Sequence, residues 1–485
     1  MGWDIGIRKK KLNMDTIKFG TDGWRAIIAD DFTIENLKRV AWATALWTNN
    51  QKGEKHSVVV GYDCRFGGKM FAETSARVLA SAGIKVYLSK DFVSTPMVSL
   101  ATKNLGAACG VIITASHNPA SYNGFKLKGN YGGPGLPSMI DEVEKLIPET
   151  FAQHLKTHEE YVKEGLIVYH DFEAGYVAHA EKQFDMAAIR NSGIRIGYDG
   201  MYGAGQNAAK KLLPGANFLH CDFNPSFHGT APEPIMKNLT EIAGLIKEKQ
   251  NIDFAFATDG DADRIGLLDS KGNFVDSHHI ILMLVKYLHY YKKKKGKVVN
   301  SFSCTSKITE MCAQFGIEQT ITKIGFKYIC EYMIHEDVMV GGEESGGIAV
   351  TGHIPERDGI WIALTLLEYM AKTGKSLDDL IQDVYNTVGT FALERYDLHI
   401  DEALKQRIVK NCNEGNYQSF GNYTVTNTET IDGFKYHLGK DKWVMIRASG
   451  TEPVLRIYAE APTYAEAVRI LDETKRDVLG REKQG

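Results

Sequence analysis

The stretch Gly110-Val111-Ile112-Ile113-Thr114-Ala115-Ser116-His117-Asn118-Pro119 decides how we interpret this sequence, because an apolar run there ends abruptly in a polar turn. The first four residues are small or apolar and predict a fully buried strand. Thr, Ser, Asn and Pro favour turns, so Ser116 is expected to stand exposed at the end of that strand. Ligands of open α/β sheets bind at such strand ends. The stretch alone equally fits a strand-to-helix turn whose Ser and Asn only cap backbone groups.

The composition favours a soluble α/β protein with several domains, since 485 residues are too many for one core. A net charge of −3 argues against a dedicated nucleic-acid binder. The seven cysteines are scattered without a C-x-x-C pair, which is typical of reduced thiols in a cytoplasmic protein. No apolar segment follows the basic residues 8–11, so we expect neither a signal peptide nor a membrane span.

The design around Ser116 returns twice along the chain. A buried strand at 253–257 runs into an aspartate-rich loop, and another at 337–340 runs into a glutamate-rich loop. Alternating strands and helices with short loops predict mixed sheets flanked by helices. We therefore expect an α/β fold of three successive domains and a smaller C-terminal α+β domain. The predicted boundaries give an extension at 1–13 and domains at 14–165, 166–275, 276–388 and 389–485.

The aspartate-rich loop, Asp259-Gly260-Asp261-Ala262-Asp263-Arg264, places three hard oxygen ligands at alternate positions. This arrangement suits Mg²⁺, which prefers carboxylates and keeps other positions for water or phosphate. A calcium EF-hand loop fails, because its glycine position holds Arg264 and its glutamate position holds Ser270. An acidic turn that caps a helix remains the alternative interpretation.

Two further loops carry groups that could bind a phosphosugar. The loop at 447–451 combines a guanidinium, two hydroxyls and a glycine, as a phosphate cradle requires, and Arg456 on the returning strand adds charge. The loop at 342–346 holds two carboxylates and a hydroxyl, which suit sugar binding as well as acid/base chemistry. An ordinary hairpin and an exposed solvated loop are the respective alternatives.

A minority interpretation starts from Gly203-Ala204-Gly205-Gln206-Asn207-Ala208, which satisfies the dinucleotide fingerprint and has Asp222 about twenty residues further on. Four residues separate the predicted strand from these glycines, where the fingerprint needs an immediate turn. A dinucleotide-dependent oxidoreductase therefore stays a remote alternative.

Four of these loops together closely resemble those of the α-D-phosphohexomutase family, which includes phosphoglucomutases and phosphomannomutases. They are the segments at 114–119, 259–264, 342–346 and 447–451, and they occur in the family's order. The resemblance covers nearly the whole chain from about Met14 and implies an active site in a central cleft. It implies an intramolecular phosphotransferase in the cytoplasm that acts on a small phosphosugar, with neither nucleic acid nor membrane as partner, as a monomer or homodimer.

The resemblance also implies roles for individual residues. Ser116 resembles the phosphoserine, with His117 beside it, and joins Asp259, Asp261 and Asp263 as ligands of Mg²⁺. Lys126 resembles the general acid/base, and Arg25 and Arg264 resemble active-site cations. Residues expected to bind the substrate are Lys323, Gly325, Glu343, Ser345, His353 and Arg357. Those expected to bind the non-reacting phosphate are Arg447, Ser449, Gly450, Thr451 and Arg456.

The glutamate-rich loop resembles the glucose-preferring branch of the family. The implied reaction interconverts α-D-glucose 1-phosphate and glucose 6-phosphate, with glucose 1,6-bisphosphate as intermediate and activator. A phosphomannomutase or phosphopentomutase is the alternative within the family, and a non-catalytic homologue is a further one. Some phosphoglucomutases carry an acid/base lysine where this chain has Arg357, and an arginine does not readily release its proton. We therefore expect an electrostatic or phosphate contact from Arg357.

Overall fold

The fold is described from a computed structural model that covers residues 17–20, 22–52, 56–448 and 454–480. Four segments of the chain follow one another, each with its own principal sheet. The expected α/β fold, with three α/β domains and a smaller C-terminal domain, is confirmed. Among the described residues, no helix is both long enough and apolar enough to span a bilayer.

Domain I is built on a seven-stranded mixed sheet. Its elements are β1 (Trp24–Ile27), α1 (Ile34–Asn49), β2 (Ser57–Tyr62), α2 (Gly68–Ser81), β3 (Lys85–Ser89), α3 (Thr95–Asn104), β4 (Cys109–Ile113), β5 (Tyr122–Gly129), β6 (Gly133–Pro134), α4 (Pro137–Lys145), α5 (His158–Lys163) and β7 (Ile167–His170). The strand order is β1-β5-β4-β2-β3-β7, with β6 beside β5. The strand β7 lies beyond the predicted boundary at residue 165, yet it pairs with β3, so the first sheet extends past that boundary.

Domain II contains a five-stranded mixed sheet. Its elements are α6 (Phe172–Gln183), α7 (Met186–Asn191), β8 (Ile196–Asp199), α8 (Gln206–Leu212), β9 (Asn217–Leu219), α9 (Thr240–Lys249), β10 (Phe254–Thr258), β11 (Ile265–Leu268) and β12 (Phe274–Val275). The strand order is β12-β11-β10-β8-β9. The strands β8, β9 and β10 are parallel, whereas β11 runs antiparallel to β10.

Domain III has a four-stranded sheet with the order β14-β13-β15-β16. Its elements are α10 (Ser277–Val285), β13 (Lys297–Ser301), α11 (Lys307–Phe315), β14 (Gln319–Thr322), α12 (Phe326–His335), β15 (Val338–Gly342), β16 (Ile348–Val350), α13 (Gly359–Thr373) and α14 (Leu377–Val388). A π-helical segment, Lys286–Tyr291, continues α10.

Domain IV is an antiparallel sheet with two helices. Its elements are β17 (Ala392–His399), α15 (Glu402–Asn413), β18 (Ser419–Phe420), β19 (Tyr423–Thr424), β20 (Asn427–Glu429), β21 (Phe434–His437), β22 (Trp443–Ala448), β23 (Val454–Ala461) and α16 (Tyr464–Leu479). The main sheet has the order β17-β23-β22-β21-β20, and β18 pairs with β19 in a separate hairpin.

The first three domains repeat one local arrangement that positions the site. In each, a buried parallel strand (β4, β10 or β15) ends in a polar loop, and the chain returns as an antiparallel neighbour (β5, β11 or β16). The serine and aspartate loops are therefore strand-to-strand connections. The strand-to-helix turn and the helix-capping acidic turn, left open from the sequence, are both wrong.

One buried apolar cluster runs through domains I, II and III, and it includes Val59 and Ile112, Tyr198 and Phe256, and Val340. Domain IV has its own core between its sheet and helices, with Ile457 and Ile470 among its members. Domains I to III are thus held together by shared apolar burial, whereas domain IV has its own core and shares a small cluster around Phe302 and Trp443 with domain III.

Candidate active site

Ser116 lies at the end of β4 in a loop with unusual backbone geometry. Its φ is 52°, in the left-handed region that serine seldom adopts, and its side chain is buried. The Ser116 hydroxyl donates to Asp259 Oδ2 at 2.6 Å, which joins domain I to domain II. The His117 Nδ1 atom lies 3.4 Å from the same hydroxyl, so the aspartate is the closer partner.

Arg65 and Asp63, which follow β2, hold the serine loop in this shape. The Arg65 guanidinium donates to the carbonyls of Ser116 at 2.5 Å and Asn118 at 2.6 Å. Thr114 donates its hydroxyl to Asp63 at 2.5 Å and accepts the Ser116 amide hydrogen. Burial raises the pKa of Asp63 to about 6. Sequence reasoning missed both residues, although β2 is the neighbour of β4 and its end meets the same sheet edge.

The three aspartates after β10 converge in one completely buried cluster. One oxygen from each of Asp259, Asp261 and Asp263 lies within 4.8 Å of the others. Among the described residues, Asp261 Oδ1 and Asp263 Oδ1 have no hydrogen-bond partner. Burial and the two neighbouring carboxylates hold the pKa of Asp259 well above its usual range. A divalent cation would satisfy both orphaned oxygens, so the donor set fits Mg²⁺ and can hold a metal.

Lys126 on β5 is the principal cation beside this cluster. Its ammonium group lies 2.7 Å from Asp261, 3.3 Å from Asp263 and 2.8 Å from Asp22. Burial lowers the pKa of Lys126, but the three carboxylates outweigh it and raise the pKa above its usual range. Asp22 was missed from the sequence; it lies in the glycine-rich turn before β1. Gly23, at φ 93°, lets that turn rest on Lys126, since a Cβ there would meet Lys126 Cγ at 2.8 Å.

Arg357 joins the same cluster from domain III. Its Nη2 atom lies 2.6 Å from Asp263 and 2.5 Å from Asp22. Both contacts are ion pairs with carboxylates, and Arg357 was expected to make an electrostatic or phosphate contact. Behind it, Glu356 accepts hydrogen bonds from Lys128 and Ser99, each at 2.8 Å, and all three side chains are buried. Domain III is therefore tied to domain I through buried charge as well as apolar packing.

Arg25 and Arg264 add positive charge around His117 and the serine loop. Arg25 donates to Asn118 Oδ1 at 2.9 Å, within the Ser116 loop. Burial, followed by the charges of Arg264 and Arg25, holds the pKa of His117 well below its usual range. The two guanidinium groups give this position a positive potential, which suits an anion.

Glu343, just after β15, lies beside this cationic group. Its Oε1 accepts the Gly325 amide hydrogen at 2.9 Å, and its Oε2 lies 3.8 Å from Arg357 Nη1. Burial raises the pKa of Glu343 to about 7. Glu344 points elsewhere and accepts hydroxyl hydrogens from Ser303 and Ser301. Ser345 is half-buried in the same loop, and Lys323 is exposed just before the Gly325 contact.

The expected phosphate site falls partly within the described residues. Arg447 and Arg456 lie directly opposite each other on β22 and β23. The Arg456 Nε lies 3.7 Å from Asp397, so this guanidinium has a carboxylate neighbour within domain IV. The Arg447 Nε lies 3.2 Å from Asp432. Ser449, Gly450 and Thr451, predicted for the same site, lie outside the described residues.

The structure does not support a substrate contact by His353. Its imidazole, 1% exposed, stacks on Trp361 at 3.7 Å between ring centroids, and its Nε2 lies 3.0 Å from Asp358. The His179 ring of α6 lies beside both, with its centroid 5.3 Å from that of His353 and 5.1 Å from that of Trp361. His353 therefore packs domains II and III together, because its ring is enclosed by aromatic and acidic partners.

The dinucleotide interpretation also fails on geometry. Ala204 donates its amide hydrogen to Gly260 in the aspartate loop. A Cβ on Gly203 would meet the Asp259 carbonyl oxygen at 2.6 Å. The glycines at 203 and 205 thus serve close packing against the aspartate loop and leave no space for a pyrophosphate.

Four segments of the chain match the phosphoglucomutase/phosphomannomutase family. The matches are to alpha/beta/alpha domain I over residues 16–154, domain II over 174–272, domain III over 276–388 and the C-terminal domain over 402–476.

Similar proteins span almost the full chain. A phosphoglucosamine/phosphogalactosamine mutase of Sulfurisphaera tokodaii is 30% identical over 477 residues, 96% of this chain and 99% of the relative. A phosphoglucomutase/phosphomannomutase of Thermococcus kodakarensis is 28% identical over 458 residues, 94% of this chain and 96% of the relative. A crystal structure described as a phosphomannomutase, from Thermus thermophilus, aligns with a TM-score of 0.85 and 33% identity, covering 96% of this chain and 100% of the other.

The fold and the site together define a phosphohexomutase, an isomerase that transfers phosphate within a sugar substrate. The chain belongs to the phosphoglucomutase/phosphomannomutase family of the α-D-phosphohexomutases. The dinucleotide-dependent oxidoreductase is thereby discarded.

Gly260→Ala tests the close approach of the serine and aspartate loops. A Cβ at Gly260 would meet the Ser116 carbonyl oxygen at 2.4 Å, so the loops must separate. Because a displacement of about 1 Å at a reacting group costs about a hundredfold in rate, we expect a loss of that order in phosphohexomutase turnover. The matched control is Gly244→Ala on α9, where a Cβ meets nothing within 4 Å. Wild-type turnover by Gly260→Ala would contradict the expected coupling.

Glu343→Gln tests the burial of the Glu343 carboxyl group. The folded-state pKa is raised from 4.5 to about 7, so the folded state binds this proton more tightly than the unfolded state does. Stability from this group is complete below pH 4.5 and is lost as the pH rises through 7, a change of about 3 kcal/mol. Thermal melts from pH 5 to 8 should therefore show the wild type losing stability relative to Glu343→Gln. The exposed control Glu248→Gln should follow the wild type, and parallel pH curves for all three proteins would refute the prediction.

Proposed function

We propose that this protein is a Mg²⁺-dependent phosphoglucomutase that interconverts α-D-glucose 1-phosphate and glucose 6-phosphate through a phosphoserine at Ser116 and a glucose 1,6-bisphosphate intermediate. The observation that carries the proposal is the 2.6 Å hydrogen bond from the Ser116 hydroxyl to Asp259, within three converging buried aspartates. A serine held against a metal site is suited to phosphoryl transfer, which needs mainly positioning and charge neutralisation.

In the proposed reaction, the bond between phosphorus and the Ser116 oxygen breaks as a bond from phosphorus to a sugar hydroxyl oxygen forms. The hydroxyl loses its proton, and the serine oxygen regains one. Lys126 is assigned the proton exchange, because its ammonium group lies 2.7 Å from Asp261, in the same loop whose Asp259 accepts the Ser116 hydroxyl hydrogen. When bound, Mg²⁺ would be held by Asp259, Asp261 and Asp263 and would neutralise charge on the transferred phosphoryl group.

The remaining contacts serve the part of the substrate that does not react. Glu343, fixed by the Gly325 amide hydrogen, is assigned to the sugar hydroxyls together with Ser345. Arg447 and Arg456 are assigned to the distal phosphate. The bisphosphate must turn over between two transfers, so the sugar contacts have to accept both orientations. Carboxylate and hydroxyl groups suit this task, because they bind hydroxyls of either orientation.

A second candidate function is the interconversion of amino-sugar phosphates, since a relative 30% identical over 477 residues is a phosphoglucosamine/phosphogalactosamine mutase. The Glu344 carboxylate, which could attract an ammonium group at C2, is already held by Ser303 and Ser301. These two hydrogen bonds to Glu344, together with the resemblance of the loop to the glucose-preferring branch, favour a glucose phosphate over an amino-sugar phosphate as substrate.

A panel of sugar phosphates tests the substrate. We expect the highest kcat/KM on glucose 1-phosphate with Mg²⁺, and lower values on the glucosamine, mannose and ribose 1-phosphates, because the Glu344 carboxylate is engaged. Coupled assays and phosphorus NMR would measure each reaction under identical conditions. A higher kcat/KM on any other member of the panel would replace glucose with that sugar.

Ser116→Ala tests the phosphate carrier. After incubation with glucose 1,6-bisphosphate, intact mass spectrometry of the wild type should show one added phosphoryl group, and Ser116→Ala should show none and should lack mutase activity. Ser121→Ala, an exposed serine at the far end of the same loop, should retain both properties. A phosphoryl group that persists in Ser116→Ala would place the carrier elsewhere.

A further inference from the structure

Asp432 is a carboxylate of domain IV that contacts both domain III and the expected phosphate site. Its Oδ2 accepts the Ile324 amide hydrogen at 2.9 Å, across the domain boundary. Its Oδ1 accepts a hydrogen bond from Arg447 Nε at 3.2 Å, within domain IV. One side chain therefore fixes a backbone position in one domain and a guanidinium in the other.

Both hydrogen-bond partners of Asp432, Ile324 and Arg447, lie in segments that were assigned to substrate binding. Ile324 lies between Lys323 and Gly325, and the Gly325 amide hydrogen bonds to Glu343 at 2.9 Å. Arg447 lies near the end of β22, directly before the expected phosphate loop. The path from Glu343 to Arg447 thus consists of two consecutive backbone amides and one carboxylate.

The position of Asp432 is itself fixed by the turn before β21. Gly433 has a φ of 98°, and a Cβ there would meet the Ile446 carbonyl oxygen at 2.8 Å and Arg447 Cβ at 3.2 Å. Only glycine fits such a close approach without strain, so the turn lies directly on β22 at Arg447. The carboxylate is thereby held where it can reach Arg447.

We propose that Asp432 is a positioning residue that sets the separation between segment 323–325 of domain III, which holds Glu343, and Arg447 at the end of β22. This inference rests on the proposed function, because it assigns Glu343 and Arg447 to opposite ends of one phosphosugar. Asp432 orients Arg447 through a charge-assisted hydrogen bond and holds segment 323–325 through the Ile324 amide group. Loss of the carboxylate would leave both binding groups present but misaligned, which weakens binding more than it slows chemistry.

Other contacts hold domain IV in place without Asp432. The Lys435 ammonium group lies 4.4 Å from the Phe302 ring centroid and 4.3 Å from the Trp443 ring. The Ser306 amide donates to Glu460 at 3.2 Å, and Lys307 pairs with Asp441 at 2.7 Å. Substitution of Asp432 should therefore leave the two domains docked and folded.

The test compares Asp432→Ala and Asp432→Asn with a matched control, Asp477→Ala. Asp477 is also a domain IV carboxylate that accepts a backbone amide hydrogen, from Gly421 at 2.7 Å, but its partner is not part of the site. Kinetics on the best phosphosugar of the panel should show KM raised roughly tenfold or more in Asp432→Ala, with a smaller change in kcat. Asp432→Asn keeps an acceptor for Ile324 but lacks the charge, so its KM should lie between. Asp477→Ala should match the wild type.

Amide hydrogen exchange supplies a readout that needs no turnover. A peptide spanning 322–326 should exchange faster in Asp432→Ala and remain protected in the wild type and in Asp477→Ala. A KM within twofold of the wild type, or unchanged exchange at Ile324, would overturn the role of Asp432. If the wild type converts no phosphosugar, the proposed function falls, and the exchange comparison alone decides whether Asp432 holds the loop.

Discussion

Three buried carboxylates in one loop are unstable unless cations surround them, and this constraint explains how the first three domains meet. Asp259, Asp261 and Asp263 are all fully buried. An unpaired buried charge is costly, so the cluster requires partners at close range. Lys126 comes from domain I and Arg357 from domain III, and both lie within 3.3 Å of these aspartates. The aspartate loop of domain II is therefore stabilised by ion pairs with residues of both neighbouring domains.

The repeated loop arrangement gives each domain the same means of presenting a reactive group. A parallel strand ends at the sheet edge, and an antiparallel neighbour carries the chain back, so the loop between them is held at both ends. In domain I this fixes Ser116, and the returning β5 also carries Lys126. In domain II the bridge between Arg264 and Gly347 links the aspartate loop to the glutamate loop of domain III. Three copies of the same strand–loop–strand arrangement thus meet at a single site.

Much of the fold and of the site could be predicted because the informative residues are close together in sequence. Ser116 and the three aspartates each follow a recognisable apolar strand, and the structure brings them into contact. Asp22, Arg65 and Glu356 were missed, since their importance arises from partners tens or hundreds of residues away. His353 was assigned to the substrate because it is polar and lies at a loop end. The sequence alone does not show that its ring packs against Trp361 of the same domain and His179 of domain II.

The separate packing of domain IV has a consequence for the proposed reaction. Domains I to III share an apolar cluster, and separating them would expose much of it to water. Domain IV keeps its own core, and its link to domain III relies on a small group around Phe302 and Trp443 together with polar contacts. Polar contacts can be replaced by water when an interface opens, whereas apolar contacts cannot. The Ser116 and aspartate loops therefore sit in the part of the molecule that is hardest to deform. Arg447 and Arg456, which we propose for the distal phosphate, lie on the domain that can shift at the lowest cost in buried apolar area. The proposed reaction, in which a bisphosphate turns over between two transfers, would need this combination of a fixed reacting centre and an adjustable second contact.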